Sequence, residues 1–311
     1  MERNFIGLAL AFTLTIPSAV HGQIPRGVTP LNPLISLYNQ DLPVFGLYTP
    51  RAREGVTPEE LAQETLRFTG MDYLFNGSME NSVDRGLPAF SSYVQALNAA
   101  GASAGSHPLV LKTPRIGDGP AQAIENISKQ LNTGASAIVF VGVESATEVR
   151  QGLAAMRFAS NGGTRPNYVG DAPRYWGLTE PEYRKRADLW PLNPEGELVN
   201  WTIVESMEGL DNIREIAAVD GIGVLFPGAG TLRRLFSSTG TDGTRVLDED
   251  AWEAAIQKVL AACKEFGVLC GYPANEHDIQ KRMQQGFSVF VIGWGDQGFR
   301  TVTIGRTAVG R

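Results

Sequence analysis

Eight short runs of β-branched and apolar residues recur along the chain, separated by stretches with helical periodicity. Runs that are apolar at nearly every position are typical of strands buried on both faces, as in a parallel sheet covered by helices. Eight strand–helix units predict an α/β fold of the closed (β/α)₈ barrel type. The predicted strands are Val44–Tyr48, Asp72–Phe75, Leu109–Lys112, Ala137–Val143, Trp201–Glu205, Ile222–Phe226, Val268–Tyr272 and Val289–Ile292.

Apolar periodicity and start signals such as Thr57-Pro58-Glu59-Glu60 predict helices between the strands. Residues 161–200 break the alternation and are rich in Gly, Pro, Tyr and Trp, which predicts a functional excursion or an interface element. The tail after Gly298 mixes β-branched residues with glycine and does not favour an eighth helix. The predicted helices are Thr57–Phe68, Leu87–Ala100, Ala121–Leu131, Ala146–Phe158, Leu210–Ala218, Asp248–Phe266 and Glu276–Gln285.

The first residues have the pattern of a secretory leader. Arg3 precedes an apolar run from Phe5 to Ile16, and small residues follow at a suitable cleavage position. The run is shorter than the roughly 20 residues that span a bilayer, so we expect an exported protein, periplasmic or secreted, without a membrane span. A buried N-terminal segment is the alternative. The expected organisation is a signal peptide at 1–22, an N-terminal extension at 23–43 and a single-domain barrel at 44–311.

Composition limits the partners and cofactors. The chain has 27 Lys+Arg against 33 Asp+Glu and a net charge of −6, so nucleic acid is not an expected partner. Outside the leader only His107 and His277 remain, which excludes metal sites built on three histidines and favours a hard, oxygen-bound divalent metal such as Mg²⁺ or Mn²⁺. Cys263 and Cys270 form either one bridge after export or two buried thiols.

Two glycine-rich segments have the spacing of known functional motifs, but the elements that surround them differ from those that the motifs require. Residues 101–105 have the G-x-S-x-G spacing of a nucleophile elbow, but a helix precedes them and a strand follows, so a turn is expected. Residues 293–298 have the G-x-G-x-x-G spacing, but too little chain follows for a dinucleotide-binding fold. After the last barrel strand this loop is either an anion-binding glycine loop or a plain turn.

Charged and polar residues end three of the predicted strands. Glu205 closes the fifth strand, Lys112 the third, and Asn76 follows the second. In a barrel the carboxyl ends of the strands form the active site, so these side chains outline one polar pocket. An unpaired buried carboxylate is costly, so we expect Glu205 to bind a metal, to pair with a basic residue, or to be exposed.

Several sequence blocks resemble, in order and spacing, the HpcH/HpaI aldolase and citrate lyase β-subunit family, the metal-dependent pyruvate aldolases with a (β/α)₈ barrel. Residues 70–77 (GMDYLFNG) are similar to the family's second-strand motif, and residues 226–232 (FPGAGTL) to its F-I-G-P-A-D-L block. The remaining matching blocks are Gly163–Arg165, Ala172–Trp176, Pro181–Tyr183, Val204–Ser206, Val219–Gly221 and Ala274–Glu276.

The resemblance implies a set of site residues. Glu205 corresponds to the first metal ligand, whereas Thr231 stands in place of the Asp that is the second. Asn76 replaces a loop Asp, Met79 a proton-transferring His, and Lys112 an Arg that polarises the substrate keto oxygen. Methionine cannot transfer a proton and lysine offers a point charge instead of a planar fork. The resemblance therefore implies the barrel and pocket more directly than the metal-dependent chemistry.

Glu80 is a candidate to supply this pocket with a second carboxylate. It lies one residue past Met79, and with Glu205 it either shares a metal or forms an acid–base pair. Lys112 acts in that scheme as a base or as a Schiff-base lysine. The alternative leaves Glu80 in solvent and makes Lys112 a clamp for an anion.

We therefore expect a carbon–carbon lyase for a small 2-keto or 2-hydroxy carboxylate, with Lys112, Glu80 and Asn76 as catalytic residues and Glu205 as metal ligand. The resemblance implies that the backbone N–H groups of Gly228, Ala229, Gly230 and Thr231 bind the carboxylate. A catalytically degenerate barrel that binds a carboxylate without turnover is the main alternative. A lyase or hydrolase of different substrate scope, run by Glu205, Glu80 and Lys112, is a third. A homo-oligomer stays open.

Overall fold

The computed structural model describes residues 30–240 and 243–311, so the predicted signal peptide at 1–22 lies outside the described residues. Eight parallel strands form one ring, in which β1 pairs with β2 and β8 and β4 pairs with β5. The predicted (β/α)₈ barrel is confirmed. Its strands are β1 (Val44–Tyr48), β2 (Tyr73–Asn76), β3 (Leu109–Thr113), β4 (Ala137–Phe140), β5 (Leu198–Val204), β6 (Val224–Pro227), β7 (Leu269–Pro273) and β8 (Val289–Ile292).

Helices cover the outside of the ring, and three short strands lie outside it, at Leu189–Trp190, Ser237–Thr239 and Arg245–Leu247. The helix predicted at 210–218 is two shorter helices. The helices are α1 (Pro33–Tyr38), α2 (Pro58–Leu66), α3 (Val83–Ala99), α4 (Pro120–Leu131), α5 (Ala146–Met156), α6 (Ala172–Trp176), α7 (Glu180–Arg186), α8 (Met207–Asp211), α9 (Ile213–Ala217), α10 (Ala229–Leu235), α11 (Glu249–Phe266), α12 (Ile279–Gln285) and α13 (Asp296–Ala308).

The C-terminal tail forms α13, so the expectation of no eighth helix is wrong. Val302 of α13 is fully buried in the layer between helices and barrel. Arg306 Nη1 and Arg311 Nη2 pair with Asp72 Oδ1 at 2.9 and 2.6 Å. Packing and ion pairs to the rest of the fold therefore outweigh the weak helix propensity of the tail.

The barrel interior is a separate apolar cluster that includes Val110, Trp201 and Val289. Helix α1 closes the amino-terminal end of the barrel, because its Leu34 and Tyr38 belong to this cluster and are buried. The open end of the barrel is therefore the carboxyl end of the strands.

The excursion at 161–200 contains α6, α7 and the short strand Leu189–Trp190, which pairs with β5. Residues 101–105 form a turn, with Gly101 at φ +97°. At the second glycine motif, a Cβ on Gly298 would lie 1.7 Å from the Gly293 carbonyl oxygen, so this glycine allows the first turn of α13 to pack closely against the loop after β8. Among the described helices, none is long and apolar enough to cross a membrane.

Cys263 and Cys270 are joined by a disulfide and are both buried. The bridge links the last turn of α11 to β7. Of the two alternatives that the sequence leaves open, the structure has the bridge.

Candidate active site at the barrel mouth

Lys112 and Glu205 lie at the same end of the barrel. Side chains alternate across a strand, so residues two apart share one face. Val110 of β3 and Ile203 of β5 belong to the interior cluster, and the next inward positions toward the carboxyl ends are Lys112 and Glu205. Both charged side chains therefore belong to the barrel mouth, by which we mean the inward positions at the carboxyl ends of the strands.

Three other inward positions at the barrel mouth are glycines, namely Gly77, Gly228 and Gly293. Each follows an interior residue by two positions, on β2, β6 and β8 respectively. Among the described residues, and apart from its chain neighbours, no atom lies within 4 Å of the place where a Cβ of Gly293 would stand. The missing side chains leave room for a small ligand above the apolar interior.

Lys112 forms an ion pair with Glu80. The Lys112 Nζ donates to Glu80 Oε2 at 2.9 Å, and the two side chains are 15% and 35% exposed. Glu80 is thus turned toward the strand-end lysine. A carboxylate in hydrogen-bond contact with an amine can take its proton or return it, which gives the pair acid–base capability.

Gln130 of α4 fixes the strand end that carries Lys112. Its Nε2 donates to the Lys112 carbonyl oxygen at 2.7 Å, and the residue is fully buried. The sequence analysis missed Gln130, since one polar residue in an amphipathic helix carries no local signal of its target. It is a positioning residue for Lys112.

Tyr48 at the end of β1 is a second residue that the sequence analysis missed. A Cβ placed on Gly77 would lie 3.6 Å from Lys112 Cδ, 3.7 Å from Tyr48 Cε1 and 3.9 Å from Glu80 Oε2, so the three side chains converge there. Burial raises the pKa of the Tyr48 phenol, although the Lys112 ammonium acts in the opposite direction. The phenol is therefore neutral at physiological pH. Its strand-end position, like that of Lys112, was the signal that could have found it.

Asn76 is tied into the loops around the mouth. Its Nδ2 donates to Thr49 Oγ1 at 2.8 Å, and its Oδ1 accepts from the Ser78 backbone N–H at 3.0 Å and from the Ser78 hydroxyl at 2.7 Å. These bonds join the loops after β1 and β2. The geometry gives Asn76 a positioning role, and its predicted catalytic role stays a prediction.

Met79 lies away from the ligand space. Its side chain is fully buried in the outer core, and Gln130 Nε2 lies 3.8 Å from its Sδ. The residue predicted to occupy the place of a proton-transferring His thus packs under the loop that carries Glu80. Proton transfer at this corner can use Glu80, Lys112 or the Tyr48 phenol, but not Met79.

Glu205 has no hydrogen-bond or ion-pair partner within residues 30–240 and 243–311, and it is partly exposed. It lies against Gly228, where an added Cβ would be 2.3 Å from Glu205 Cβ and 2.5 Å from its Oε2. Because Gly228 has no side chain, the Glu205 side chain can lie directly against it. The carboxylate is available to a ligand or a proton.

The loop predicted to bind a carboxylate forms the start of α10. The N–H of Gly228 already donates to the Val204 carbonyl at 2.9 Å, so the first-turn donors left for a ligand are those of Ala229, Gly230 and Thr231. Trp252 Nε1 donates to the Ala229 carbonyl at 3.0 Å and anchors this turn to α11.

The donor set does not fit a divalent cation held by the protein alone. Within the described ranges there is no group of three or more His, Cys, Asp or Glu residues suited to a metal. The Glu80 carboxylate is paired with Lys112, and Thr231 Oγ1 accepts from the Arg234 guanidinium at 3.1 Å. A cation at Thr231 would face that positive group. Glu205 as a metal ligand stays a prediction, and we derive no step through a metal.

Comparison with known sequences shows which proteins the chain resembles. The sequence profile described as HpcH/HpaI aldolase/citrate lyase matches residues 64–300. A hydroxypyruvate/pyruvate aldolase of Delftia acidovorans is 26% identical over 271 residues, which is 85% of this chain and 87% of that protein. A protein of the same name from Paraburkholderia phytofirmans is 26% identical over 243 residues, or 77% of this chain and 82% of that protein.

Solved structures share the fold. An HpcH/HpaI aldolase/citrate lyase family protein from Burkholderia cenocepacia aligns with a TM-score of 0.63 and 22% identity, covering 90% of this chain and 98% of that one. The protein CitE of Mycobacterium tuberculosis, solved with magnesium and acetate, aligns with a TM-score of 0.53 and 17% identity, covering 88% and 92%. The profile match covers well over half of the sequence, and the chain belongs to the HpcH/HpaI aldolase/citrate lyase family.

Proposed function

We propose that the protein is an aldol-type carbon–carbon lyase that cleaves a small 4-hydroxy-2-keto carboxylate into a 2-keto acid, such as pyruvate, and an aldehyde. The observation that carries the proposal is the Lys112–Glu80 ion pair inside the mouth of a family barrel. The family's reaction class and the names of the two aldolase relatives support the same type of bond cleavage. Because the family's second metal ligand, histidine and arginine are replaced in this chain, we propose that a group other than a metal accepts the electron pair of the breaking carbon–carbon bond.

Lys112 supplies that group by forming an imine. Glu80 takes the proton of the Lys112 ammonium, and the neutral amine attacks the keto carbon. The resulting carbinolamine loses water with a proton returned by Glu80, which leaves a positively charged iminium. The iminium then accepts the electron pair of the breaking carbon–carbon bond.

Glu205 completes the cycle as a base. It takes the proton from the substrate 4-hydroxyl as the bond breaks, which releases the aldehyde and leaves an enamine on Lys112. Protonation of the enamine carbon by Glu205 and hydrolysis of the iminium by water release the 2-keto acid. The substrate carboxylate binds the free N–H groups of Ala229, Gly230 and Thr231 in this scheme, which keeps it close to Glu205.

The test combines trapping with turnover. We expect borohydride added with pyruvate to reduce an adduct onto Lys112, identified by peptide mass spectrometry. We also expect pyruvate release from 4-hydroxy-2-oxopentanoate in the presence of EDTA. Turnover that requires Mg²⁺ or Mn²⁺ and gives no adduct would refute the imine and favour Glu205 as a metal ligand. Neither turnover nor adduct under either condition would refute the lyase.

A non-catalytic carboxylate-binding barrel is the second candidate. The observation that favours it is the Met79 side chain, which stands in the place of the family's proton-transferring histidine and packs in the core. Calorimetric binding of pyruvate without turnover of 4-hydroxy-2-oxopentanoate, with or without divalent metal, would identify this function.

We also propose that the protein works outside the cytoplasm. The Cys263–Cys270 disulfide supports this, because such bridges persist in oxidising compartments and are rare in the cytosol. Fractionation of the native host should recover the protein outside the cytoplasm, lacking residues 1–22. Recovery of the full chain in the cytosol would contradict the proposal.

A further inference from the structure

A cavity of about 540 Å³ opens beside the Lys112–Glu80 pair, between the loops that follow β1 and β2 and helices α2 and α3. We call it the outer cavity. Gly77, an inward position at the barrel mouth, also lines the outer cavity, and Glu80 lines that cavity while contacting Lys112, so the two spaces adjoin. A volume of this size holds a small organic group, and nothing in the mechanism proposed above uses it.

The inner wall of the outer cavity is apolar. Tyr48, Leu61 and Phe90 line it, and Phe90 and Leu61 are buried. Tyr93 lines it too, but its hydroxyl is 2.7 Å from Thr65 Oγ1 and is satisfied there. Because that hydroxyl already has its partner, the wall favours a flat or branched apolar group over a sugar-like one.

The rim of the outer cavity carries an unpaired positive charge. Arg51 lines the cavity, and its guanidinium has no hydrogen-bond or ion-pair partner in the part of the chain that the structure describes. The neighbouring Arg53 is instead tied to Glu64. Lys112, the other cation at this corner, is paired with Glu80. Arg51 is therefore the cation that a ligand's carboxylate can reach from the outer cavity.

We propose that the outer cavity binds the aldehyde-derived half of the substrate, and that this half is an aromatic or branched apolar group with a carboxylate at its far end. The inference rests on the proposed lyase, since it assumes that a 2-keto acid occupies the barrel mouth beside it. The apolar wall selects the body of the aldehyde, and Arg51 selects its acidic substituent.

The test uses aldol addition of pyruvate to three aldehydes, namely acetaldehyde, benzaldehyde and 4-carboxybenzaldehyde. We expect kcat/KM to rise at least tenfold from acetaldehyde to benzaldehyde, and about tenfold again to 4-carboxybenzaldehyde. The second gain should lie mainly in KM. Arg51→Gln should remove it, because only the acidic substituent meets the guanidinium.

Ala89→Phe fills the outer cavity from α3 and should lower the benzaldehyde-to-acetaldehyde ratio at least tenfold. The matched control is Ala99→Phe, which adds the same side chain at an exposed position near the end of the same helix and should keep the wild-type ratio. Addition to acetaldehyde without any preference for the larger aldehydes would overturn the inference and leave the lyase standing.

Binding of terephthalate, a non-reactive dicarboxylate of the same shape, gives a second readout that needs no turnover. Calorimetry should detect it on the wild-type protein, more weakly on Arg51→Gln and not on Ala89→Phe. Terephthalate binding without any aldol addition would retain the cavity as a site for aromatic carboxylates and refute only the lyase. No addition and no terephthalate binding would overturn both.

Discussion

At the scale of single residues, a substitution at Lys112 in the Lys112–Glu80 pair can test whether activity needs the positive charge of the lysine or its nucleophilic amine. Lys112→Arg keeps a positive charge at the strand end, but a guanidinium does not form an imine. We expect this variant to lose at least about a thousandfold in lyase kcat, while its melting temperature stays within about 2 °C of wild type.

Lys129→Arg is the matched control for that variant, because Lys129 is also ion-paired, with Asp84 and Glu125, but lies on the surface of α4. It should leave kcat unchanged. A Lys112→Arg protein within tenfold of wild-type kcat would mean that Lys112 acts as a charge, and the imine would be wrong.

Gly228 gives a second residue-scale prediction. Gly228→Ala brings a Cβ to 2.3 Å from Glu205 Cβ, so the strand end must shift and Glu205 must move. We expect a loss of about 1–3 kcal/mol in unfolding free energy by urea titration and at least tenfold in lyase kcat/KM. Gly105→Ala, in the turn before β3, brings its Cβ no closer than 3.4 Å to a neighbouring side chain of the described residues and should change neither value appreciably. Equal effects of the two substitutions would contradict this account.

The location of charged residues at strand ends was predictable, because a charged residue that ends an apolar barrel strand is expected at the carboxyl-end mouth of the barrel. Lys112 and Glu205 were placed in the mouth on that basis, and Glu80 by its place in the adjoining loop. Gln130 and Tyr48 were missed. Gln130 acts across the fold on a backbone carbonyl, and Tyr48, although it ends its strand, belongs in the sequence to the apolar run Val44–Tyr48.

At the scale of secondary-structure elements, one buried arginine joins α11, α12 and β7. The Arg282 side chain is 4% exposed, and its Nη1 and Nη2 donate to Glu253 Oε1 and Oε2 at 2.6 and 2.8 Å. Nη2 also donates to the Tyr272 hydroxyl, and the guanidinium lies 4.3 Å from the Tyr272 ring centroid. Hydrogen bonding to Arg282 lowers the pKa of Glu253 to about 2.

Because the folded-state pKa of Glu253 is depressed, its contribution to stability is present above the ordinary carboxyl pKa and is lost as pH falls toward about 2. We expect Glu253→Gln to cost about 3 kcal/mol in unfolding free energy at pH 7, because Arg282 stays buried and unpaired. The difference from wild type should shrink between pH 5 and pH 3. Glu249→Gln, at an exposed position on the same helix, serves as control and should show no such pH dependence. A constant difference at all pH values would contradict the argument.

The elements that the sequence predicted share strong periodicity, and those it missed depend on contacts elsewhere in the chain. All eight strands were found to within a few residues. Helix α13 was rejected on local propensity, yet Val302 packs in the core and two arginines reach Asp72. Helix α1 and the antiparallel strand pair Ser237–Thr239 and Arg245–Leu247 were not foreseen, because α1 is stabilised by contacts with the barrel interior and the residues of the strand pair are mostly exposed.

At the scale of the whole molecule, the Cys263–Cys270 bridge is a test of compartment and stability together. We expect no free thiol to react with Ellman's reagent in the protein unfolded under non-reducing conditions, and two after reduction. The double variant Cys263→Ser, Cys270→Ser should be less stable by about 2 kcal/mol, the chain-entropy value for so short a loop. Two reactive thiols in protein purified from the native host would show that the bridge does not form there.

The whole fold was more predictable than the chemistry of its site. Eight buried strands separated by helices allow few architectures, so the barrel follows from a pattern spread over the chain. The chemistry depends on a handful of side chains whose partners are set by tertiary contacts. The pairing of Lys112 on β3 with Glu80 in the loop after β2 could not be read from spacing alone.

The chain reaches the barrel from the face opposite its mouth. The Glu197 carboxylate, just before β5, accepts from the backbone N–H groups of Leu31 and Asn32 at 2.8 Å each, and α1 then seals that face. A tether joined directly to Pro30, whether an affinity tag, a lipid or a bead, would therefore hold the barrel with its opening turned outward. Immobilised in that orientation, the protein would keep its ligand space free for solutes arriving from bulk solution.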